Sequence, residues 1–438
     1  MVWWLVTSLA ALQPAFAEAP RVMTQSPPNG AADVNPATAE LIVTFDTDMK
    51  KDSHSICGGG PMFPKLRGQP TWKDARTLVI KVVLEPEHVY QMSLNCASFR
   101  NFKSDPANEE LVPTPWSFTT GSGRSAEEQK KLNERSLDEL MSALSESYSY
   151  YDRTGTDWPA RAKALRANII ASPSTFAWVE RVAELLKPAQ DPHLWINFGG
   201  RTTGTHISKY TPNFNIKGVE HAVGKLTRHN QAALSAKLDG GIFYLLIPSW
   251  SDQLKKQIEE IDDILKVHKD GKGIILDVRP NGGGDESLAR EVAAWFVEGT
   301  HTYSKNATRD PSAKGGFGPI YDRKIKGNRS SKRYTGPVAL LIGPANMSSN
   351  ESFIMMMKQS KHVTVIGGQT SGSSGNPKPR LLENKVEVFI PSWKDILPDG
   401  TLLEGNGIKP DVEIIADAKA FETGDPIIER AIETLRKK

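Results

Sequence analysis

The chain is sparing with cysteine. Its 438 residues hold only Cys57 and Cys96, too few for a disulfide-stapled scaffold or a cysteine-rich metal cluster. No H-E-x-x-H pattern or Cys/His cluster appears, so metal chemistry is not expected and no cofactor is implied. An excess of one charge is also lacking. A net charge of +3 with 24% charged residues excludes the strong basic field of a nucleic-acid or membrane-surface binder. Beyond the opening segment no apolar run is long enough to span a bilayer. There is no internal repeat, no low-complexity tract, and no G-x-S-x-G turn of the kind that marks many esterases.

The opening segment, MVWWLVTSLAALQPAFAEAP, has an apolar stretch of signal-peptide length that closes on Ala15-Phe16-Ala17, a small-x-small cleavage pattern. No Lys or Arg precedes that stretch. We read residues 1–17 as a signal peptide, and the protein as exported, periplasmic or secreted, without stable membrane insertion. The two cysteines suit that compartment, either as a disulfide or as two buried thiols.

Residues 20–120 alternate apolar and polar positions, as in Leu41, Val43 and Phe45, or Leu78, Ile80 and Val82, between Pro- and Gly-rich turns. This is an all-β pattern. SPPNGAADVNPATAELIVTFDTDM and the closing WSFTTG resemble bacterial Ig-like modules, which implies a β-sandwich that spaces or attaches. GSGRS is a linker by composition. Residues 126–198 carry helical periodicity, with Leu137, Leu140 and Leu144 on one face. From about residue 240 strands and helices alternate, which calls for a sheet covered by helices. Residues 301–334 hold nine Lys or Arg against two Asp and read as an irregular basic loop. It is either simply solvated or a cleft rim favouring acidic or C-terminal carboxylate groups.

Two stretches could carry chemistry. In GPANMSSNESFIMMMK, Ser348 and Ser349 sit between strand-like PVALLIG and a helical run. Ser348-Ser349-Asn350-Glu351 fits a capping box, S-x-x-E. It also fits a nucleophile on a tight strand-to-helix turn, where free N–H groups can hold an oxyanion. In LDVRPNGGGDESL, three glycines follow a buried strand, so a ligand can approach the main chain closely. That spacing matches neither the dinucleotide nor the P-loop fingerprint.

GIILDVRPNGGGD, PVALLIGPANMSSNESF, VIGGQTSGSSG and LEGNGIKPDVEI, in this order, resemble the core of the tail-specific, C-terminal-processing and tricorn-like serine peptidases. ESYSYYDRTGTDW resembles the family's helical lead-in. The resemblance covers residues 126–416 and implies the following roles. Ser348 is the nucleophile, and the N–H groups of Ser349 and Gly284 form the oxyanion hole. The branch of the family with a lysine base places it in a G-K-G turn; here Gly372-Ser373-Ser374-Gly375 stands there, and Lys378 comes five residues late. The tricorn-like branch uses a histidine, which falls on His193 in DPHLWI, with proline where glycine is usual. That branch also implies Glu404, 56 residues after Ser348, acting on His193 or by way of Ser373. An imidazole held by a carboxylate can serve as general base.

The expected architecture is multidomain: an all-β Ig-like sandwich over 20–120, a small helical bundle over 126–198, and an α/β core over 199–438 resembling the ClpP/crotonase spiral. Only 48 residues separate His193 from the strand at 242, too few for the PDZ module most relatives carry. The expected function is an exported serine endopeptidase acting on peptide or protein. The alternatives are an inactive peptide- or lipid-binding protein that keeps the fold, and a small-substrate esterase or amidase.

Overall fold

The computed structural model describes residues 18–437; the expected signal peptide lies outside them. The chain forms two compact units. One comprises residues up to Asn133 with Ile170–Glu180 and Asn197–Thr203, and the other Glu134–Ile169, Arg181–Ile196 and Gly204–Lys438.

The first unit is built of two sheets. One orders Val22–Ser26, Glu40–Phe45, Thr77–Val83 and Lys65–Leu66; the other orders Ala31–Val34, Thr114–Thr120, Val89–Leu94 and Ile56–Cys57. Alternation explains their pairing. Leu41 lies opposite Ile80 and Val43 opposite Leu78, so the apolar sides of both strands turn inward together. They meet Tyr90, Met92, Leu94, Trp116 and Phe118 in one buried cluster. Cys57 and Cys96 form a disulfide across a separation of 39 residues, a closure worth roughly 4 kcal/mol on the chain-entropy account.

The helical segment contains Ala126–Ser147, Trp158–Ile170 and Thr175–Leu186. The division between the two units runs through it, after Asn133, after Ile169 and after Glu180.

The second unit is organised on a seven-stranded sheet. Its order is Thr227–Arg228, Leu234–Leu238, Ile242–Leu246, Gly273–Asp277, Val338–Ile342, Val363–Gly367 and Val412–Glu413. From Ile242–Leu246 onward the strands run parallel. The three central strands, IFYLL, GIILD and VALLI, are buried at every residue. Such continuous apolar runs are what a strand covered on both faces requires. Side chains alternate between two cores. Phe243, Leu245, Ile274, Leu276 and Leu340 face one, with Leu288, Val292 and Phe353; Tyr244, Leu246, Ile275, Ala339 and Leu341 face the other, with Val219, Ile427 and Ile428.

The basic segment 301–334 is not an irregular loop. Thr300–Arg309 and Phe317–Lys326 form a long antiparallel hairpin, and Thr300–Arg309 also pairs with Trp393–Ile396. Its charges concealed the strand pattern because two of them, Arg309 and Arg323, pack on aromatic rings, as does Lys394 of the neighbouring strand. Arg309 and Lys394 lie over the Phe317 ring, and Arg323 lies over Tyr303 and Trp393.

At the carboxyl end of strand Gly273–Asp277, Arg279 is wholly buried. Its Nη2 donates to Asp277 at 2.6 Å and to Asp425 at 2.8 Å, and its Nη1 to the carbonyl of Asn213 at 2.8 Å. Asp425 also caps helix Pro426–Arg436 by accepting from Ile427 and Ile428. This triad ties the helix to the base of the glycine loop. Asp425→Ala would strand part of a buried charge and lose a cap, so we expect a loss of roughly 3–5 kcal/mol in urea unfolding. A loss below about 1 kcal/mol would mean that solvent or rearrangement compensates.

Candidate active site

Strand Val338–Ile342 ends in a turn that Asn346 holds. The Asn346 side chain accepts from Gly343 N–H and donates to the carbonyls of Val278, Arg279 and Asn281 at 2.6–3.1 Å. One amide therefore joins the serine turn to the glycine loop. Ser348 follows with φ 57° and ψ −132°, a left-handed geometry that costs a non-glycine residue about 1–3 kcal/mol. Its side chain does not cap helix Ser349–Met357, and among the described residues its Oγ has no hydrogen-bond partner.

The capping box is therefore not formed. Glu351 is wholly buried and turns instead to the 370–373 loop. It accepts from the Thr370 hydroxyl, from Gly372 N–H at 2.8 Å and from Ser373 N–H at 3.0 Å. Burial pushes its carboxyl up to about 8 against those three donors.

The glycine loop lies against this turn. A Cβ on Gly283 would stand 3.0 Å from both Met347 O and Ser348 Cβ, and one on Gly284 would stand 2.3 Å from Trp250 O. Both also have positive φ, 107° and 138°, so glycine is required twice over. Trp250 brackets Gly284, donating to Gly283 O and accepting from Asp285 N–H. Among the described residues the N–H groups of Gly284 and Ser349 have no acceptor.

His193 is held by its own turn. Its N–H donates to Asp191 Oδ1 at 2.8 Å, and Asp191 Oδ2 accepts from Tyr148 at 3.0 Å. Its Nδ1 lies 2.8 Å from Ser373 Oγ, while the Ser373 carbonyl accepts from Ser348 N–H at 2.8 Å. Ser373 thus touches both residues. Burial lowers the imidazole to about 4, leaving it neutral at physiological pH.

A cleft of about 700 Å³ brings His193, Ser348, Ser349 and Gly284 together. Glu404 is not among its lining residues. It accepts from Ser374 N–H at 2.8 Å and lines a separate cavity of about 350 Å³ with Ser373 and Arg153. Burial first, and then the nearby Asp191, push its carboxyl well up. Lys378 lies on the exposed strand Pro377–Leu381 and does not line the cleft. Reading the sequence did not single out Asp191, the Glu351 loop contacts or Arg323. Asp191 had a signal, because an aspartate two residues before the histidine can hold that residue's own N–H.

Relief of the Ser348 backbone is measurable. Ser348→Gly should unfold at higher denaturant than Ser348→Ala, by roughly 1 kcal/mol; equal midpoints would show an unstrained turn. Glu351 gives a pH signature. Its folded carboxyl holds a proton up to about 8, whereas the unfolded one releases it near 4.5. Its contribution is therefore full below 4.5 and lost as pH rises to 8. Glu351→Gln should flatten that slope in Tm against pH.

Residues 241–414 match the family model described as peptidase family S41. Two curated relatives, each named "Probable CtpA-like serine protease", are similar. The one from Staphylococcus haemolyticus is 27% identical over 173 residues, which is 37% of this chain and 33% of that protein. The one from Staphylococcus aureus is 29% identical over 175 residues, 37% of this chain and 34% of that protein. The chain thus spans about a third of their length. Among solved structures, a candidate peptidase from Parabacteroides merdae aligns at TM-score 0.58 and 21% identity, over 71% of this chain and 97% of that one. Mature CPAF aligns at TM-score 0.52 and 12% identity, over 70% and 96%. These two likenesses speak for the fold. The matched segment carries the glycine loop, the serine turn and the 370–373 loop, and over that segment the chain is similar to peptidase family S41.

Proposed function

We propose that this protein is an exported serine endopeptidase that cleaves peptide or protein substrates through an acyl-enzyme. The observation that carries the reading is the Ser348 backbone. A serine at φ 57° that caps nothing is a strained residue without a structural return, which is how nucleophiles are presented on sharp strand-to-helix turns. Two N–H groups that have no acceptor among the described residues, on Gly284 and Ser349, line the same cleft.

In this reading Ser373 Oγ holds His193 Nδ1, so Nε2 is the nitrogen left to take the Ser348 proton. Ser348 Oγ attacks the scissile carbonyl, and the Gly284 and Ser349 N–H groups hold the oxyanion. The imidazolium then protonates the leaving amine. Water, deprotonated by the same nitrogen, releases the acyl group. Glu404 supports the arrangement from behind by fixing the Ser373–Ser374 segment through Ser374 N–H. The two-sheet unit is read as an Ig-like module that spaces or attaches the enzyme. The helix-covered sheet is read as a ClpP/crotonase-like spiral, and the short segment from His193 to the sheet as lacking a PDZ module. Among the described residues no helix is long and apolar enough to cross a membrane.

One observation favours the inactive binding protein instead: His193 is bonded to Ser373, and no bond joins it to Ser348. Catalytic contacts often tighten only with substrate in place, so labelling decides. A fluorophosphonate should label the folded protein, and Ser348→Ala and His193→Ala should abolish the label while Ser349→Ala keeps it. A folded wild type that takes no label would favour the binding protein. The rate should be full at neutral pH and fall by half near pH 4, where His193 gains its proton. A midpoint near the ordinary 6.5 would point to a solvated imidazole.

A further inference from the structure

The cleft contains a carboxylate whose charge nothing answers. Asp285 directly follows Gly284 and lines the cleft beside Ser348. Its Oδ1 accepts from Ser287 N–H at 2.7 Å and from the Ser287 hydroxyl at 2.8 Å, capping helix Glu286–Ala293. Those donors are neutral, and among the described residues Asp285 has no ion pair.

The other charges of the cleft are matched. Among the described residues Arg323 is its one lining Lys or Arg. It pairs with both Asp395 and Glu286 and donates to Ser352 at 3.0 Å. Glu286 also holds Arg290. With its side chain only 9% exposed and its guanidinium over the Tyr303 and Trp393 rings, Arg323 is not free to receive an acidic group from a substrate. His193 is neutral at working pH. Among the residues that line the cleft, the charge left for a substrate is therefore the negative one of Asp285. The walls are suited to a long aliphatic stem: Trp195, stacked on Phe389 at 4.6 Å, Trp393 and Met347.

We propose that Asp285 is a specificity-determining residue that draws a lysine or arginine side chain of the substrate into the cleft beside the scissile bond. The inference rests on the peptidase reading. Its place in the chain gives it reach, since the adjacent residue supplies an oxyanion N–H and the bound carbonyl must lie within a few ångströms of both. A cation there gains a charge-assisted hydrogen bond that a neutral side chain cannot make.

The test uses three peptidyl diphenyl phosphonates that differ only in the reacting residue: lysine-like, leucine-like or glutamate-like. Each labels an activated serine, so the rates report selectivity without a known substrate. The lysine-like probe should label wild type roughly 10- to 100-fold faster than the leucine-like one, with the glutamate-like probe slowest. Asp285→Asn keeps a good helix cap and removes the charge. It should bring the lysine-to-leucine ratio close to one and quicken the glutamate-like probe. Added salt should shrink the wild-type ratio. Equal wild-type rates, or a ratio unchanged in Asp285→Asn, would overturn the assignment while leaving the nucleophile in place. If neither the phosphonates nor a plain fluorophosphonate label the folded wild type, the nucleophile assignment falls and this inference with it.

Discussion

The side chain of Asn346 is the joint of the second unit. One amide takes the Gly343 N–H and gives its own hydrogens to three carbonyls of the glycine loop. The parallel pairing of Gly273–Asp277 with Val338–Ile342 brings both turns to the carboxyl end of the strands, where ligand sites in such sheets lie. Register alone leaves the turns free to splay. Asn346 fixes their distance, and the approach of Gly283 to Ser348 Cβ follows from that. A buried amide with so many partners tolerates few replacements.

The second organising constraint is desolvation. His193, Asp191, Glu351 and Glu404 are all buried. Burial drives each toward its neutral form, the imidazole down and the carboxyls up. Backbone N–H groups of His193, Gly372, Ser373 and Ser374 oppose this for the three acids. The outcome is a neutral imidazole held by a hydroxyl, among three acids that are each held by backbone N–H groups of loops. Glu351 belongs to that group: it fastens the loop carrying Ser373 to the helix that starts at Ser349.

How much of this the sequence disclosed depends on which force shaped each part. The three central strands were legible because burial on both faces leaves an unbroken apolar run. The glycine loop was legible because only glycine tolerates the contacts found there. The hairpin at 300–326 was missed because two of its cations, Arg309 and Arg323, lie over aromatic rings, which blurs the two-residue alternation. S-x-x-E was ambiguous for a different reason. The same four residues suit a cap and a nucleophilic turn, and the choice is made by φ at Ser348 and by a loop twenty residues away that competes for Glu351. Glu404 and His193 were placed by resemblance. Their spatial relation, with Ser373 and Ser374 between them, depends on how separate segments fold back and leaves no local trace.

The Arg279 triad has a consequence for the order in which this protein is made. Asp277 and Arg279 leave the ribosome well before Asp425, which supplies the second carboxylate from the head of helix Pro426–Arg436. Until that helix emerges and docks, a guanidinium meant for a dry site has half of its countercharge, and water remains at the base of the glycine loop. The loop that faces Ser348 is therefore among the last parts of the unit to set. A nascent chain carries Arg279 for 146 residues of synthesis before its second carboxylate arrives and the base of the glycine loop closes.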